Sequence, residues 1–401
     1  MNLRSLCAVT YAGALCLLLA ASCAELRPEG VLPGGHDWAK VITVNQDEGI
    51  YLDRQTGRNF ECREFFLPRW GDNGFSEGLC AVKERLENKH WYDKGKEGYI
   101  DRAGRLVIPF QYDYANNFHE GYAVATVGKA RGLIDKRGRW FVEPGRYDAL
   151  DGFREGRCAF KEQNRWGFLD AEGRVVIRPI YKEVAGFCEG LSWVKEESGA
   201  TVYIDRNGRV CIRLPDAEWK GCNFQEGLAR VTRYLPVEEG GPLDWLRIPR
   251  ANLYGYIAKD GRMAIEPRFG TAGDFSEGLA PVTMSKDSPV VSGGELIYCW
   301  SFDPDFPEPP PAWGFINKKG EVVIPMVYEK ALHFREGLAP VKQGGKWGYI
   351  DRQGRMVIGA GFVWAEEFKD GIAEVVIGEK TTYIDKSGRI VVWTDISADK
   401  F

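Results

Sequence analysis

Histidine is scarce in this chain of 401 residues, which has only His36, His90, His119 and His333. No His-Glu-x-x-His and no Cys-x-x-Cys occurs, so the commonest zinc frameworks are excluded, and no metal or cofactor is expected. An excess of either charge is missing too: 53 Lys and Arg face 57 Asp and Glu, a formal net charge of −4. A nucleic-acid partner, which calls for a basic face, is therefore not expected. Beyond the N-terminus no run of about 18 uncharged apolar residues appears, so no later helix is long and apolar enough to span a bilayer. Helical spacing is absent as well, because apolar residues come in short runs broken by Gly or Pro roughly every 8–12 residues. What is abundant is glycine, at 48, with 13 Trp, 17 Tyr and 21 Phe. That mixture favours short strands and tight turns.

Residues 1–22 read as an export signal. Arg4 supplies the positive start, an apolar run extends from Tyr11 to Leu19, and the segment closes on Leu19-Ala20-Ala21-Ser22-Cys23. This closing sequence resembles a bacterial lipobox, with Ala20 in the place usually held by Leu. The resemblance implies a lipid on Cys23 and a lipidated N-terminal linker over 23–44 that tethers an otherwise soluble chain. Ala24, in place of the aspartate of inner-membrane retention signals, resembles an outer-membrane address in a cell with two membranes. Seven cysteines follow Cys23, an odd number, so at least one thiol is left outside any internal disulfide. Cys80 and Cys158 fall two residues past a recurring glycine, where a small buried hydrophobe fits.

Two motifs alternate along the rest of the chain. The first, Phe-x-Glu-Gly-Leu-Ala-x-Val, occurs eight times with substitutions, from Phe75–Val82 to Phe368–Val375. The second, Gly-Tyr-Ile-Asp-x-x-Gly-Arg-x-Val-Ile-x-Pro, has good copies at 98–109, 132–144, 167–179, 255–267, 314–325 and 348–358. Weaker copies start at Tyr51, Tyr203 and Tyr383. In residues 98–124 the pattern predicts a strand over Gly98-Tyr99-Ile100, a turn capped by Asp101 and closed by Gly104, and a returning strand at Leu106-Val107-Ile108. Pro109, lacking an N–H, is expected to stop that ladder. The chain is therefore expected to be all-β: about eight antiparallel repeats of 34–35 residues over 45–395, with a tail at 396–401. One such unit buries too little to stand alone, so neighbours must stack, either as a propeller-like ring or as an open β spiral.

Lys346-Trp347-Gly348-Tyr349-Ile350-Asp351, Arg165-Trp166-Gly167-Phe168-Leu169-Asp170 and Trp313-Gly314-Phe315-Ile316-Asn317 resemble the bacterial WG repeat. The likeness covers nearly the whole chain after the signal, although Glu97, Arg131 and Tyr254 replace the tryptophan elsewhere. It implies β-rich modules in exported or surface-associated proteins, and no particular reaction.

The repeated Asp is expected to cap its turn rather than bind calcium, since each turn offers one carboxylate followed mostly by a cation. The repeated Glu is expected to belong to the scaffold, pairing with motif arginines such as Arg105 or Arg355. The tryptophan before the glycine is read as packing in preference to a sugar platform. His119 and His333 lie beside the motif Phe, but no nucleophile recurs near them. Three insertions, near 84–96, 232–253 and 283–312, occupy the same slot between the two motifs, so they are expected to share a face. They carry the candidate binding residues Trp245, Tyr298, Trp300 and Phe302. The function expected is a non-enzymatic binding or scaffold module of the cell envelope, holding a protein or glycan. An enzyme acting on envelope polysaccharide through insertion carboxylates, or a purely structural envelope component, are the alternatives.

Overall fold

One copy of each motif, taken together, makes one antiparallel repeat, and two such repeats merge in a single seven-stranded sheet. In this computed structural model the described residues are 41–45, 50–53, 58–62, 64–67, 75–86, 95–234, 252–284, 290–292, 295–297 and 312–397. Among them all regular structure is strand, and every strand pair is antiparallel. The export signal, the linker and Cys23 lie outside the described residues. The chain divides into two units, Met1–Phe110 and Gln111–Phe401.

The first unit holds a three-stranded sheet (Val41–Asn45, Ile50–Asp53, Arg58–Glu61) and a five-stranded one that includes Leu79–Glu84 and Glu97–Asp101. Val41, Tyr51, Cys62, Phe65, Leu67, Cys80, Val82 and Ile100 are buried together as its core. The Tyr51 hydroxyl accepts the N–H of Leu67 at 3.2 Å.

The second unit repeats one plan. In the sheet of Lys330–Ala331, Leu338–Gln343, Lys346–Asp351 and Met356–Phe362, the first motif forms the turn between the first two strands. The second motif forms the turn between the last two. Side chains alternate faces along each strand, so the sheet is apolar on both sides. Ala339, Val341 and Ile350 join Phe315 and Phe334 in one cluster, whereas Leu338, Trp347 and Tyr349 join Phe368, Ala373 and Val375 of the following sheet. Each core therefore lies between consecutive repeats. The same aromatic contact marks successive junctions: Phe168–Phe187, Tyr203–Phe224, Tyr256–Phe275, Phe315–Phe334 and Tyr349–Phe368, with ring centroids 4.8–5.2 Å apart. The array is thus held by the mutual burial its composition requires.

In four copies the motif proline does not end its strand, whereas Trp140–Val142 stops short of Pro144. Val175–Tyr181, Met263–Ala272 and Val322–Tyr328 run through Pro179, Pro267 and Pro325, and Leu106–Tyr112 runs through Pro109. The proline instead sits in a bulge: Trp166 pairs with Tyr181 and Phe168 with Ile177, leaving one residue, Gly167, opposite three. A Cβ on Gly167 would lie 2.4 Å from the Ile177 carbonyl oxygen, and the equivalents at Gly98, Gly132, Gly255, Gly314 and Gly348 would lie 2.5–2.6 Å from theirs. The glycine of the Trp-Gly pair is therefore demanded by close backbone approach. Where Val202 takes its place, Val202 and Tyr203 pair with Arg213 and Ile212 in direct succession and the bulge is gone.

Candidate functional site

Two rows of carboxylates decorate the turns, and they do different work. Asp101, Asp135, Asp170, Asp351 and Asp385 each cap their own turn. One oxygen of Asp351 accepts the N–H groups of Gln353 and Arg355 at 3.0 Å, and the other meets the Arg355 guanidinium at 2.7 Å. These bonds hold the acids below the ordinary carboxylate range; Asp385, which also accepts the Ser387 hydroxyl, is lowered to about 2. Arg105 and Arg355 are thus partners of the aspartates Asp101 and Asp351, which corrects the expectation that they pair with the repeated glutamates.

The glutamates reach instead into the next repeat. Each lies in the left-handed region with φ of 51–54° and is followed by a glycine of positive φ, the two-residue turn geometry that suits Asn-Gly better than Glu-Gly. Glutamate supplies length. Glu155 accepts the N–H of Gly190 at 2.7 Å, Glu189 that of Gly227 at 3.0 Å and Glu226 that of Gly278 at 2.9 Å. Glu277 and Glu336 do the same for Gly337 and Gly371, both at 3.0 Å. A cation from the second-motif turn of that same following repeat completes four of these clamps: Arg206 at 2.9 Å on Glu155, Lys259 at 2.9 Å on Glu189, Lys318 at 3.1 Å on Glu226 and Lys386 at 2.9 Å on Glu336. Burial acts to raise the pKa of Glu155, Glu226 and Glu336, but the cation and the amide outweigh it and leave all three lowered.

A second polar row precedes the motif Phe. Asn223, Asp274, His333 and Glu367 occupy that place in consecutive repeats. Glu367 accepts the backbone N–H of His333 and lies 3.0 Å from its Nδ1, with Arg335 at 3.3 Å. Burial alone would raise the Glu367 carboxyl, yet His333 and Arg335 hold it low. The Arg230 guanidinium donates to the Ala272 carbonyl, lies 3.4 Å from Cys222 Sγ and 3.5 Å from Asp274, and sits 5.8 Å from the centroid of the Tyr254 ring. His333 is thus placed as a bridge between repeats, while His119 is exposed at its turn. The tryptophans of Trp-Gly pack: Trp347 is buried, and Trp166 and Trp313 are half-buried against the apolar clusters.

The insertion slot is the third feature. Trp245, Tyr298, Trp300 and Phe302 lie outside the described residues, as do most of the segments that carry them. Their roots are well placed nonetheless. Leu228–Tyr234 and Asn252–Ala258 flank one insertion, Leu279–Met284 and Trp313–Asn317 the other. All four belong to one seven-stranded sheet. Phe269 is the register partner both of Tyr254, just after the first insertion, and of Met284, the last strand residue before the second. The two insertions therefore emerge beside a single residue. Trp364, which motif reading passed over, occupies the place in its repeat that Thr271 holds here, pairing with Val376 as Thr271 pairs with Thr283.

Stacked antiparallel sheets with their cores between them, and with inter-sheet clamps, define an all-β repeat protein. The repeat is the WG containing repeat, whose family model matches residues 98–129, 132–166, 166–198, 254–286, 313–347 and 347–380; the chain is a WG-repeat β-repeat protein. The unmatched stretch between 198 and 254 holds the strand Thr201–Ile204, in which Val202 replaces the glycine. No curated protein matches the sequence. Among solved structures the chain is similar to the computationally designed Ika8 protein, at 10% identity over 90% of this chain and 100% of that one, with a TM-score of 0.41. It is similar to a eukaryotic initiation factor at 10% identity, over 74% and 92% of the two chains, with a TM-score of 0.39. It is similar to BamB from Moraxella catarrhalis at 11% identity, over 68% and 79%, with a TM-score of 0.33. Likeness this slight assigns nothing to this chain.

Proposed function

We propose that this protein is a non-enzymatic binding module of the bacterial cell envelope, exported, anchored by a lipid on Cys23, and presenting its insertions to a protein or glycan ligand. The observation that carries this reading is the convergence of two insertion roots on Phe269. A rigid stack that gathers aromatic-bearing insertions at one place is the arrangement by which segments on a scaffold bind. The repeated carboxylates from Asp101 and Glu120 onward support the same reading, since they are engaged in capping or clamping and serve the stack itself. Export and anchoring rest on the residues around Cys23 and on the lipobox resemblance.

The test replaces residues 235–250 and 285–311 with short turns copied from Gln343-Gly344-Gly345-Lys346. Capture of envelope ligands from a membrane extract should be lost while the melting temperature holds, and Trp245→Ala or Trp300→Ala should weaken capture. Undiminished capture by the loop-replaced protein would refute the reading. Cys23→Ser should move the protein from the membrane to the soluble fraction.

A further inference from the structure

Trp364 stands 37% exposed in the short strand Trp364–Ala365. Single exposed aromatics are ordinary on a protein surface, and Tyr114 in the equivalent place is more exposed still; what sets Trp364 apart is its fixed orientation. This ring is fixed twice. Buried Trp347 meets it edge-on, with centroids 5.2 Å apart and planes at 63°, and its indole N–H donates to Glu366 Oε1 at 2.8 Å. Glu366 is itself exposed, and its backbone carbonyl accepts the Tyr349 hydroxyl at 2.8 Å. The second carboxylate oxygen is left as an acceptor at the edge of the ring.

The strand leading to this place departs from its siblings. Where other copies read Ile-Pro-Phe-Gln-Tyr or Ile-Pro-Met-Val-Tyr, this one reads Ile358-Gly359-Ala360-Gly361-Phe362. Neither glycine is explained by the fold. Both have φ outside the left-handed region; a Cβ on Gly359 would meet nothing within 4 Å, and one on Gly361 only the Gly359 carbonyl oxygen at 3.9 Å. Their effect is to strip side chains from the strand that runs up to exposed Val363 and Trp364. The hairpins beside it are short, Gln343-Gly344-Gly345-Lys346 and Ile377-Gly378-Glu379-Lys380, so they leave the ring uncovered.

We infer that Trp364, Glu366 and the Gly359–Gly361 shelf form a saccharide subsite. A pyranose ring has a flat C–H face that stacks on an indole, and hydroxyls at its rim that donate to a carboxylate. A bare backbone shelf admits the next sugar of a chain without steric cost. The inference rests on the proposed binding role and deepens it, because Trp364 occupies in its repeat the position that adjoins the insertion roots two sheets earlier.

The experiment titrates the full chain with chitotriose and, separately, cellotriose, following the tryptophan indole N–H signals by NMR; the Trp364 signal is assigned by its loss in Trp364→Phe. The expected result is saturable shift of that signal with at least one of the two sugars. Glu366→Gln should weaken binding about five- to tenfold, as exchanging a charge-assisted hydrogen bond for a neutral one does. Gly361→Val should abolish it at unchanged melting temperature. No shift of the Trp364 signal with either sugar overturns the subsite. So does a shift that survives Gly361→Val with the fold intact, or the finding that Trp364→Phe removes capture of a protein partner while no sugar binds. Sugar binding confined to the insertion tryptophans would overturn the subsite and leave the parent reading standing; loss of both would end both.

Discussion

The carboxylate of Glu155 accepts the N–H of Gly190 at 2.7 Å across 35 residues of chain, while Arg206 of the same following sheet holds it at 2.9 Å. The glutamate lies at φ 51° to do this, a conformation that costs an L-residue roughly 1–2 kcal/mol. A junction between sheets is therefore secured by a locally strained residue.

Two substitutions at Glu155 separate strain from clamping. Glu155→Ala keeps the unfavourable backbone and leaves the Gly190 amide without its acceptor, and should cost about 1–3 kcal/mol in urea unfolding. Glu155→Asn also loses the reach but tolerates the left-handed backbone well, so it should cost less than alanine. Equal losses would show that turn strain plays no part.

Acid should loosen the stack. The folded-state values of Glu155, Glu226, Glu336 and Glu367 are lowered, and that of Asp385 falls to about 2. Unfolded carboxylates titrate near 4. A lowered folded value means the unfolded chain binds protons first, so the contribution is fully present above about pH 5 and is lost as pH falls through the folded values. Urea midpoints should be level from neutrality to about pH 5 and drop steeply from there towards pH 2; a midpoint that rises on acidification would contradict the clamps.

Two classes of glycine should respond oppositely to alanine. Gly167→Ala and Gly255→Ala place a Cβ 2.4 and 2.5 Å from a backbone carbonyl oxygen and should destabilise by about 3 kcal/mol, the upper end of overpacking costs. Gly361→Ala meets only the Gly359 carbonyl oxygen, at an unstrained 3.9 Å, and should be neutral or stabilising by about 0.4–1 kcal/mol, through the unfolded chain. Thermal melts decide, and matched losses at all three sites would refute the distinction.

Thiol reactivity should follow burial. Burial pushes Cys62 and Cys158 up to about 12, whereas Cys211 is exposed. Brief treatment of the native protein with an alkylating agent, read by peptide mass spectrometry, should label Cys211 and spare Cys62, Cys80 and Cys158 until denaturant is added. Early modification of Cys158 would place it outside the core.

Much of this fold was legible in order and type of element. Alternating Leu338-Ala339-Pro340-Val341, turns at Asp351-Arg352-Gln353-Gly354 and the need for stacking are all local properties of pattern and composition. The partner of the repeated glutamate was not, because it lies 35 to 60 residues away and depends on how one sheet sits on the next. The motif proline was misjudged as a strand end: strand propensity says nothing of a bulge that glycine on the facing strand accommodates. Trp364 escaped notice because it belongs to neither motif, although the loss of proline from Ile358-Gly359-Ala360-Gly361 marked that copy as unusual. The insertion residues Trp245, Tyr298, Trp300 and Phe302 stay as the sequence presented them, outside the described structure.

The clamp partners are 35 residues apart at Glu155–Gly190 and Glu336–Gly371, 52 at Glu226–Gly278 and 60 at Glu277–Gly337, yet the amide distances differ by 0.3 Å at most. Contour length between anchor points is therefore decoupled from the geometry of the joint. A lineage or a designer is free to lengthen, trade or delete whole segments in that slot without retuning the joints, so new recognition surfaces can be sampled at little risk to folding.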